Sequence, residues 1–410
     1  MTEVSLLTSP LAAPQASATA QAAPLRVLFW HWGRGGAGSK FTFELVRAVA
    51  SSGAAQPFVS AVKNCELAGL IQGLPLAAPV CEIETFSGAK DTLAGKLAAA
   101  RGLAGLLRIG RQFEAFIKDN QIDVVVCTML SIWDIAVLSA LRRLRTPFVL
   151  VLHDANPHPG DSYPFRRLAM RREIAAANGV VVLTDHIRQQ AIQCHGLAND
   201  RIWTIPHGSF DFGVSGLRSL PQDRPPRLLF FGRILAYKGL SLLLDAYRLL
   251  REDGLRVELD IMGSGDISPY AAKLARLDGV RLTNRWMDDA EIGPALANTD
   301  IMVLPYIEAS QSGVAAAAAS CGMPTVATPV GGLAEQVRHE ETGLIAAQTT
   351  ASGLAHAIRR LLEDPALYER CSAGALAHAR EDLGWDSIAS RMVEAARDVV
   401  LRHTSLKETA

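Results

Sequence analysis

No stretch of this chain approaches the roughly 20 consecutive apolar residues that a membrane-spanning helix needs, so none is expected. Net charge is absent too: 41 Lys and Arg face 41 Asp and Glu. That balance excludes a global attraction to nucleic acid, and it makes any anion site a local one. The six cysteines are scattered and form no C-x-x-C. This excludes a disulfide scaffold and a short-spaced zinc set, and is what reduced thiols in a cytoplasmic protein look like. No D-x-D occurs, so no closely spaced carboxylates stand ready for a metal. The first 24 residues hold no Lys or Arg, and Pro10, Pro14 and Pro24 interrupt them. A secretory signal needs a positive start and an unbroken apolar segment. A disordered tail over 1–24 and a cytoplasmic location are expected.

What is present is ordinary globular composition, 49% hydrophobic and 20% charged over 410 residues, a length that suggests two domains. Apolar, β-branched runs alternate with helical patterns: RVLFW (26–30), PFVSAV (57–62), IDVVVC (122–127), PFVLVL (147–152), GVVVL (179–183) and RIWTI (201–205). Such alternation predicts a parallel sheet with helices on both faces. Apolar periodicity stops in VSGLRSLPQDRPP, 214–226, which reads as a linker. The pattern then restarts with RLLFFG, RVELDIMG, DIMVLPY and PTVATP as strands. The predicted organisation is a domain over 25–213, a linker over 214–226, a second domain over 227–385, and a C-terminal helix over 386–410 that packs back on the first. Two such open sheets put a ligand cleft at the carboxyl ends of their strands.

Gly33, Gly35 and Gly38 have the spacing of a dinucleotide fingerprint, G-x-G-x-x-G, after the first strand. A NAD site also needs a ribose-binding acid about 20 residues further on. No acid lies between Glu44 and Glu66, and Lys63 follows the second strand, so NAD is disfavoured.

The second half carries more chemistry. In FGRILAYKG, 231–239, Gly232 follows a strand and Arg233 and Lys238 occupy a strand-to-helix loop. Cations there add to the backbone N–H groups that already favour an anion. IMGSG, 261–265, is a second strand end with a glycine turn. After Pro305, Ser310, Gln311, Ser312 and Gly313 open a helix of small residues, with Ser expected to cap it. Three strand ends thus converge on one anion site. If 90–119 is one helix, Arg101, Arg108, Arg111 and Lys118 share a face, and Leu103, Leu106, Phe113 and Ile117 share another. A solvated basic face is the plain reading and attachment to an anionic membrane surface the sharper one. Gly102, Gly105 and Gly110 weaken such a helix.

PHG (206–208), GRxxxxKG (232–239), MGSG, and the Ser-Gly helix start followed by CGMPTVATPVGG resemble retaining nucleotide-sugar glycosyltransferases. The resemblance covers about 25–385 and points to the large group that builds bacterial envelope polysaccharides. It implies the GT-B fold, two Rossmann-like doubly wound α/β domains facing a cleft. Arg233 and Lys238 would then hold the diphosphate of an NDP-sugar as leaving group, with no metal and no cofactor. Gly232, Gly263, Gly265, Glu308, Ser310, Gln311, Ser312 and Gly313 would contact the donor, with Arg285 and Trp286 framing the base. Gly35, Gly36 and Lys40 would form an acceptor-side loop, and His153 would lie by the transferred sugar. The implied donor is of GDP-mannose or UDP-glucose type. The acceptor is a saccharide or a lipid-linked saccharide, met by a cytoplasmic enzyme at the inner-membrane surface. The family usually has two glutamates eight residues apart around the helix start; here those positions fall at Ala309 and Ala317. Glu308 could serve for the first, and nothing replaces the second. A non-catalytic nucleotide-sugar-binding subunit or sensor of the same fold is the alternative.

Overall fold

The computed structural model describes residues 23–33, 35–85, 93–131, 133–156 and 166–408, with backbone alone for 93–104, 166 and 406–408. The expected tail, up to residue 22, lies outside them. Seven strands, β1 (Leu25–His31), β2 (Ala55–Val62), β3 (Cys81–Ile83), β4 (Val124–Met129), β5 (Phe148–Leu152), β6 (Gly179–Val182) and β7 (Ile202–Thr204), form one sheet in the order 3-2-1-4-5-6-7. Six more, β8 (Arg227–Phe231), β9 (Glu258–Gly263), β10 (Val280–Asn284), β11 (Ile301–Leu304), β12 (Thr325–Ala327) and β13 (Gly343–Ile345), form a second in the order 10-9-8-11-12-13. Every pairing is parallel. These are two Rossmann-like α/β units.

Both sheets reverse their strand order at one point, between β1 and β4 and between β8 and β11. At such a point the connections leave in opposite directions, and a crevice opens beyond the carboxyl ends of the strands. The glycine loop follows β1, His153 follows β5, and the Arg233–Lys238 loop follows β8. The fold therefore aims the sequence motifs at the two crevices.

β3, β10 and β13 have no counterpart among the expected strands. All three are sheet edges. β3 and β13 have three residues each, and β10 leaves Arg281, Leu282 and Asn284 exposed, so none shows an apolar run. β1, whose last five residues are buried, is the opposite case.

Helices Ala37–Ser52 and Trp385–Glu408 pack together on the first sheet. Ile388, Met392, Val393 and Val399 join its core, so the chain crosses to the second unit and returns. Helices Leu93–Asp119, Ile135–Leu144 and Arg166–Ala176 lie side by side, and right-handed crossovers put them on the opposite face. Gly110 has a use beyond weakening its helix: a Cβ there would stand 2.6 Å from the Ala136 carbonyl oxygen, so glycine lets the two helices touch.

The polar stretch 214–226 is fastened to the second unit. Leu220 belongs to that core. The Arg218 guanidinium donates to the carbonyls of Cys321, Leu296 and Thr299 at 2.8, 3.0 and 2.7 Å. Five of the six cysteines are buried; Cys194, in helix Asp185–His195, is exposed.

Candidate active site

The loops after β8, β9 and β11 meet backbone to backbone, and glycines make the meeting sterically feasible. Gly232 N–H donates to Met262 O at 3.0 Å, and Ile234 N–H to Ser264 O at 2.8 Å. At Gly263, with φ of 147°, a Cβ would fall 1.8 Å from Gly232 O. At Gly239, with φ of 69°, it would fall 1.8 Å from Pro305 O. Gly265 is tied to the end of β10 by Asn284, whose side-chain amide bonds its N–H and its carbonyl, both at 3.1 Å. The three strand ends are thus one rigid floor.

On this floor Lys238 Nζ donates to the Tyr306 hydroxyl at 2.7 Å and lies 4.4 Å from the centre of that ring. Its Nζ also stands 3.8 Å from where a Gly232 Cβ would be. Arg233 is exposed in the same loop. Val314, in the first turn of helix Gly313–Ser320, stands 3.7 Å from the same Gly232 Cβ position. The β8 loop and this helix start are therefore neighbours.

Ser312 does not cap that helix as expected. Its hydroxyl pairs with the Tyr306 hydroxyl at 3.1 Å, which draws it away from the first-turn amides. Its own N–H donates to Gln336 Oε1 at 2.6 Å, and Gln336 Nε2 donates back to Ser312 O at 3.2 Å. Gln311 Oε1 is buried without a hydrogen-bond partner. Glu308 is exposed and Ser310 buried. Ala309 and Ala317, where the resemblance calls for glutamates, are each 3% exposed. Arg285 is paired with Glu291 at 2.5 and 2.7 Å, and beside it Trp286 is 61% exposed.

Across the crevice, the glycine loop comes within reach of that tryptophan. A Cβ at Gly36 would stand 3.7 Å from Trp286 Cη2. Gly36 N–H donates to Glu66 Oε2 at 2.5 Å, and a Cβ at Gly35 would meet the same oxygen at 2.8 Å. Lys40 forms an ion pair with Asp289 of the second unit. Beneath the loop lies the buried ring of His31, 2.7 Å from a Cβ at Gly33 and 3.1 Å from one at Gly38. Burial holds its pKa down at about 4, with His153 adding to the effect.

His153 donates from Nε2 to the Thr128 carbonyl at 2.9 Å. A carbonyl only accepts, so the proton is on Nε2 and Nδ1 of the neutral ring is an acceptor. Burial lowers its pKa, so the neutral form dominates. His207 shows the reverse tautomer: Nδ1 donates to Gly208 O at 2.7 Å, and Nε2 lies 3.5 Å from where a Gly313 Cβ would stand. Burial takes its pKa down to about 4. The Phe41 ring centre is 5.3 Å from those of His153, His207 and Trp385. This aromatic cluster groups the two histidines, and His207 stands beside the second unit's helix start.

The structure therefore gathers Gly232, Lys238, Ser312 and Gly313 around one crevice, with Gly36 and Trp286 facing each other across its far side. Sequence reasoning gave no role to His207, Tyr306, Gln336, Glu66 or Asp289. The PHG motif, just after the strand that precedes the crossover, is the signal for His207. The other four had none: Glu66, Gln336 and Asp289 meet partners far along the chain, and Tyr306 reaches Ser312 and Lys238 only through the folding of its loop.

The family model described as Glycosyl transferases group 1 matches residues 225–364. The one described as Glycosyltransferase Family 4 matches 94–209. A D-inositol 3-phosphate glycosyltransferase of Thermomonospora curvata is 30% identical over 266 residues, 57% of this chain and 61% of its own length. The protein of that name from Actinosynnema mirum is 30% identical over 296 residues, 65% of this chain and 68% of its own. The chain thus matches less than two thirds of the first relative's length. The crystal structure of Anabaena HepE in complex with UDP superposes with a TM-score of 0.69 at 17% identity, covering 91% of this chain and 100% of that one.

Proposed function

The chain belongs to the group 1 and family 4 glycosyltransferases, with the GT-B fold, and from that premise we propose that it is a retaining hexosyltransferase using a nucleoside-diphosphate sugar. The donor is of UDP-glucose or GDP-mannose type. The acceptor is a saccharide or lipid-linked saccharide of bacterial exopolysaccharide or envelope synthesis. The first domain, 25–213, holds the acceptor and the second, 227–385, the donor. One observation carries the reading: Lys238 and the Arg233 loop stand beside a helix start at the switch point of the second sheet. The acceptor oxygen bonds to the anomeric carbon as the bond from that carbon to the diphosphate oxygen breaks. The hydroxyl proton passes to the departing diphosphate. Two cations and the helix-start dipole stabilise the charge that develops there. His153, with Nδ1 as acceptor, orients the sugar.

The test is a thermal-shift series with UDP, GDP, ADP and TDP, with and without EDTA, followed by transfer assays with the sugar nucleotide of the base that binds. Stabilisation by one base that survives chelation supports the site. Binding abolished by EDTA refutes the metal-free diphosphate clamp. A second reading, a binding subunit without transfer, draws on the buried alanines at 309 and 317. It predicts that the bound sugar nucleotide is released unchanged, whereas an enzyme hydrolyses it slowly even without acceptor.

The inner-membrane surface is part of the same proposal. On the three adjacent helices of the first unit, Arg108, Arg111, Lys118, Arg142, Arg143, Arg167, Arg171 and Arg172 are exposed. Leu107 (74%), Ile135 (45%) and Leu168 (48%) are exposed among them. The Arg101 side chain lies outside the described ones. Asp119 is the exposed acid there, and Glu114 is taken up by Lys118 and Arg143. Each basic residue near an anionic leaflet contributes about 1 kcal/mol. Liposome sedimentation should show binding that needs anionic lipid and falls with salt. Equal binding to neutral vesicles, or none to anionic ones, would make the face a solvated one.

A further inference from the structure

The two units touch beside the site at opposite edges of the second sheet. The Lys40–Asp289 pair follows β10, one edge; the other contact lies between β12 and β13, at the far edge. There the Glu335 carboxylate crosses to the first unit. It accepts the N–H of Asp185 at 2.6 Å and that of His186 at 2.7 Å. These are the first two amides of helix Asp185–His195, which have no partner inside their own helix. The N-cap of that helix, Thr184, accepts from Ile187 N–H at 3.2 Å and donates to Ser310 O at 3.0 Å. Gly331 and Gly332 allow the approach, since a Cβ at Gly332 would stand 2.9 Å from Thr184 Oγ1 and one at Gly331 3.2 Å from His186 Nε2.

We propose that Glu335 is a positioning residue, a clamp that docks the acceptor-side domain on the donor-side domain at the spacing transfer requires. The inference rests on the transfer reading for its kinetic consequence but not for its structural one. The next residue, Gln336, grips both backbone groups of Ser312, and Ser312 leads through Tyr306 to Lys238. One short helix, Leu333–Gln336, therefore holds the other domain with one side chain and the donor loop with the next. A carboxylate suits this task, because both amides point outward at a helix N-terminus and an anion is favoured there. An amide side chain offers only one acceptor and turns its NH₂ toward a donor.

Three variants test the clamp. Glu335→Ala removes the carboxylate. Asp185→Pro removes one of the two N–H donors at the first helical position, where proline is well tolerated. Asp185→Ala keeps that N–H and controls for the bond that the Asp185 side chain accepts from Thr204. Small-angle scattering of the unliganded proteins should show a larger radius of gyration for Glu335→Ala and Asp185→Pro, and none for Asp185→Ala. In transfer assays kcat should fall by roughly ten- to a hundredfold in the first two, with KM for the donor little changed. The double variant should be no worse than Glu335→Ala alone. Unchanged scattering, or losses that multiply in the double variant, would overturn the clamp. Opening by scattering with no transfer by the unaltered protein from any sugar nucleotide would leave the clamp standing and sink the transfer reading instead. A melting temperature shared by the variants and the unaltered protein separates both outcomes from simple unfolding.

Discussion

Lys238 and Arg233 come from one loop, yet they are held differently. Lys238 is seated on Tyr306 by a hydrogen bond and by the face of the ring, whereas Arg233 is exposed at the rim. Replacing either with Ala should raise the transfer barrier by ~3 kcal/mol, about a hundredfold in kcat, while leaving the melting temperature close to that of the unaltered protein. A normal rate in either variant removes that residue from the diphosphate site. A second residue-scale prediction concerns two buried acids away from the crevice. Asp134 and Glu173 are buried together, and burial raises both pKa values, that of Glu173 to about 8. A raised folded pKa stabilises fully below the unfolded value, and that stability is lost as pH climbs through the folded one. His31 and His207, lowered to about 4, act the opposite way and lose stability as pH falls from about 6.5 to about 4. The two effects offset each other in mild acid. From about 6.5 to 8 the acids act without the histidines, so the melting temperature should decline there, and Glu173→Gln should flatten that decline. The cations were legible because their spacing within one loop is itself the signal. The buried pair was not, because one acid precedes a helix and the other lies inside the next, and only packing joins them.

At the scale of elements, the floor of the site is a set of glycine turns that no side chain can replace. Gly263→Ala should cost about 1–3 kcal/mol in backbone strain alone, because φ is 147°. The collision with Gly232 O adds to that, so nucleotide binding should be lost along with stability. Denaturant melts and UDP or GDP titration of the variant would check both; an alanine tolerated without either loss would mean that the loops can separate. These glycines were visible in the sequence as strand-end turns. Their reason was not, since it lies in the carbonyl of a neighbouring strand's loop. The same holds for strands. Central ones announced themselves as unbroken apolar runs, while β3, β10 and β13 are short or half-exposed edges whose pairing partners, not their composition, make them strands. The Ser312 hydroxyl failed as a cap for a similar reason: a tyrosine six residues earlier, brought close by the loop, outcompeted the local amides.

At the scale of the molecule, the C-terminal helix binds the first unit although the chain reaches it from the second. Met392 is 1% exposed in that packing. Met392→Ala should destabilise by about 2–5 kcal/mol, and the loss should appear in the unfolding of the first domain; a transition confined to the second domain would contradict the assignment. The same helix places Trp385 against Phe41, so the crossing point and the histidine cluster are one packed body. The two units are therefore packed together at the base of the crevice and joined by polar contacts at its two edges. The exposed thiol of Cys194 sits on the helix whose opposite end Glu335 holds, and the other five thiols are buried. A maleimide fluorophore would thus attach at a single native position, on the first unit, with no cysteine to add or remove. The protein carries its own chemical handle for testing whether the two halves part when Glu335 is replaced.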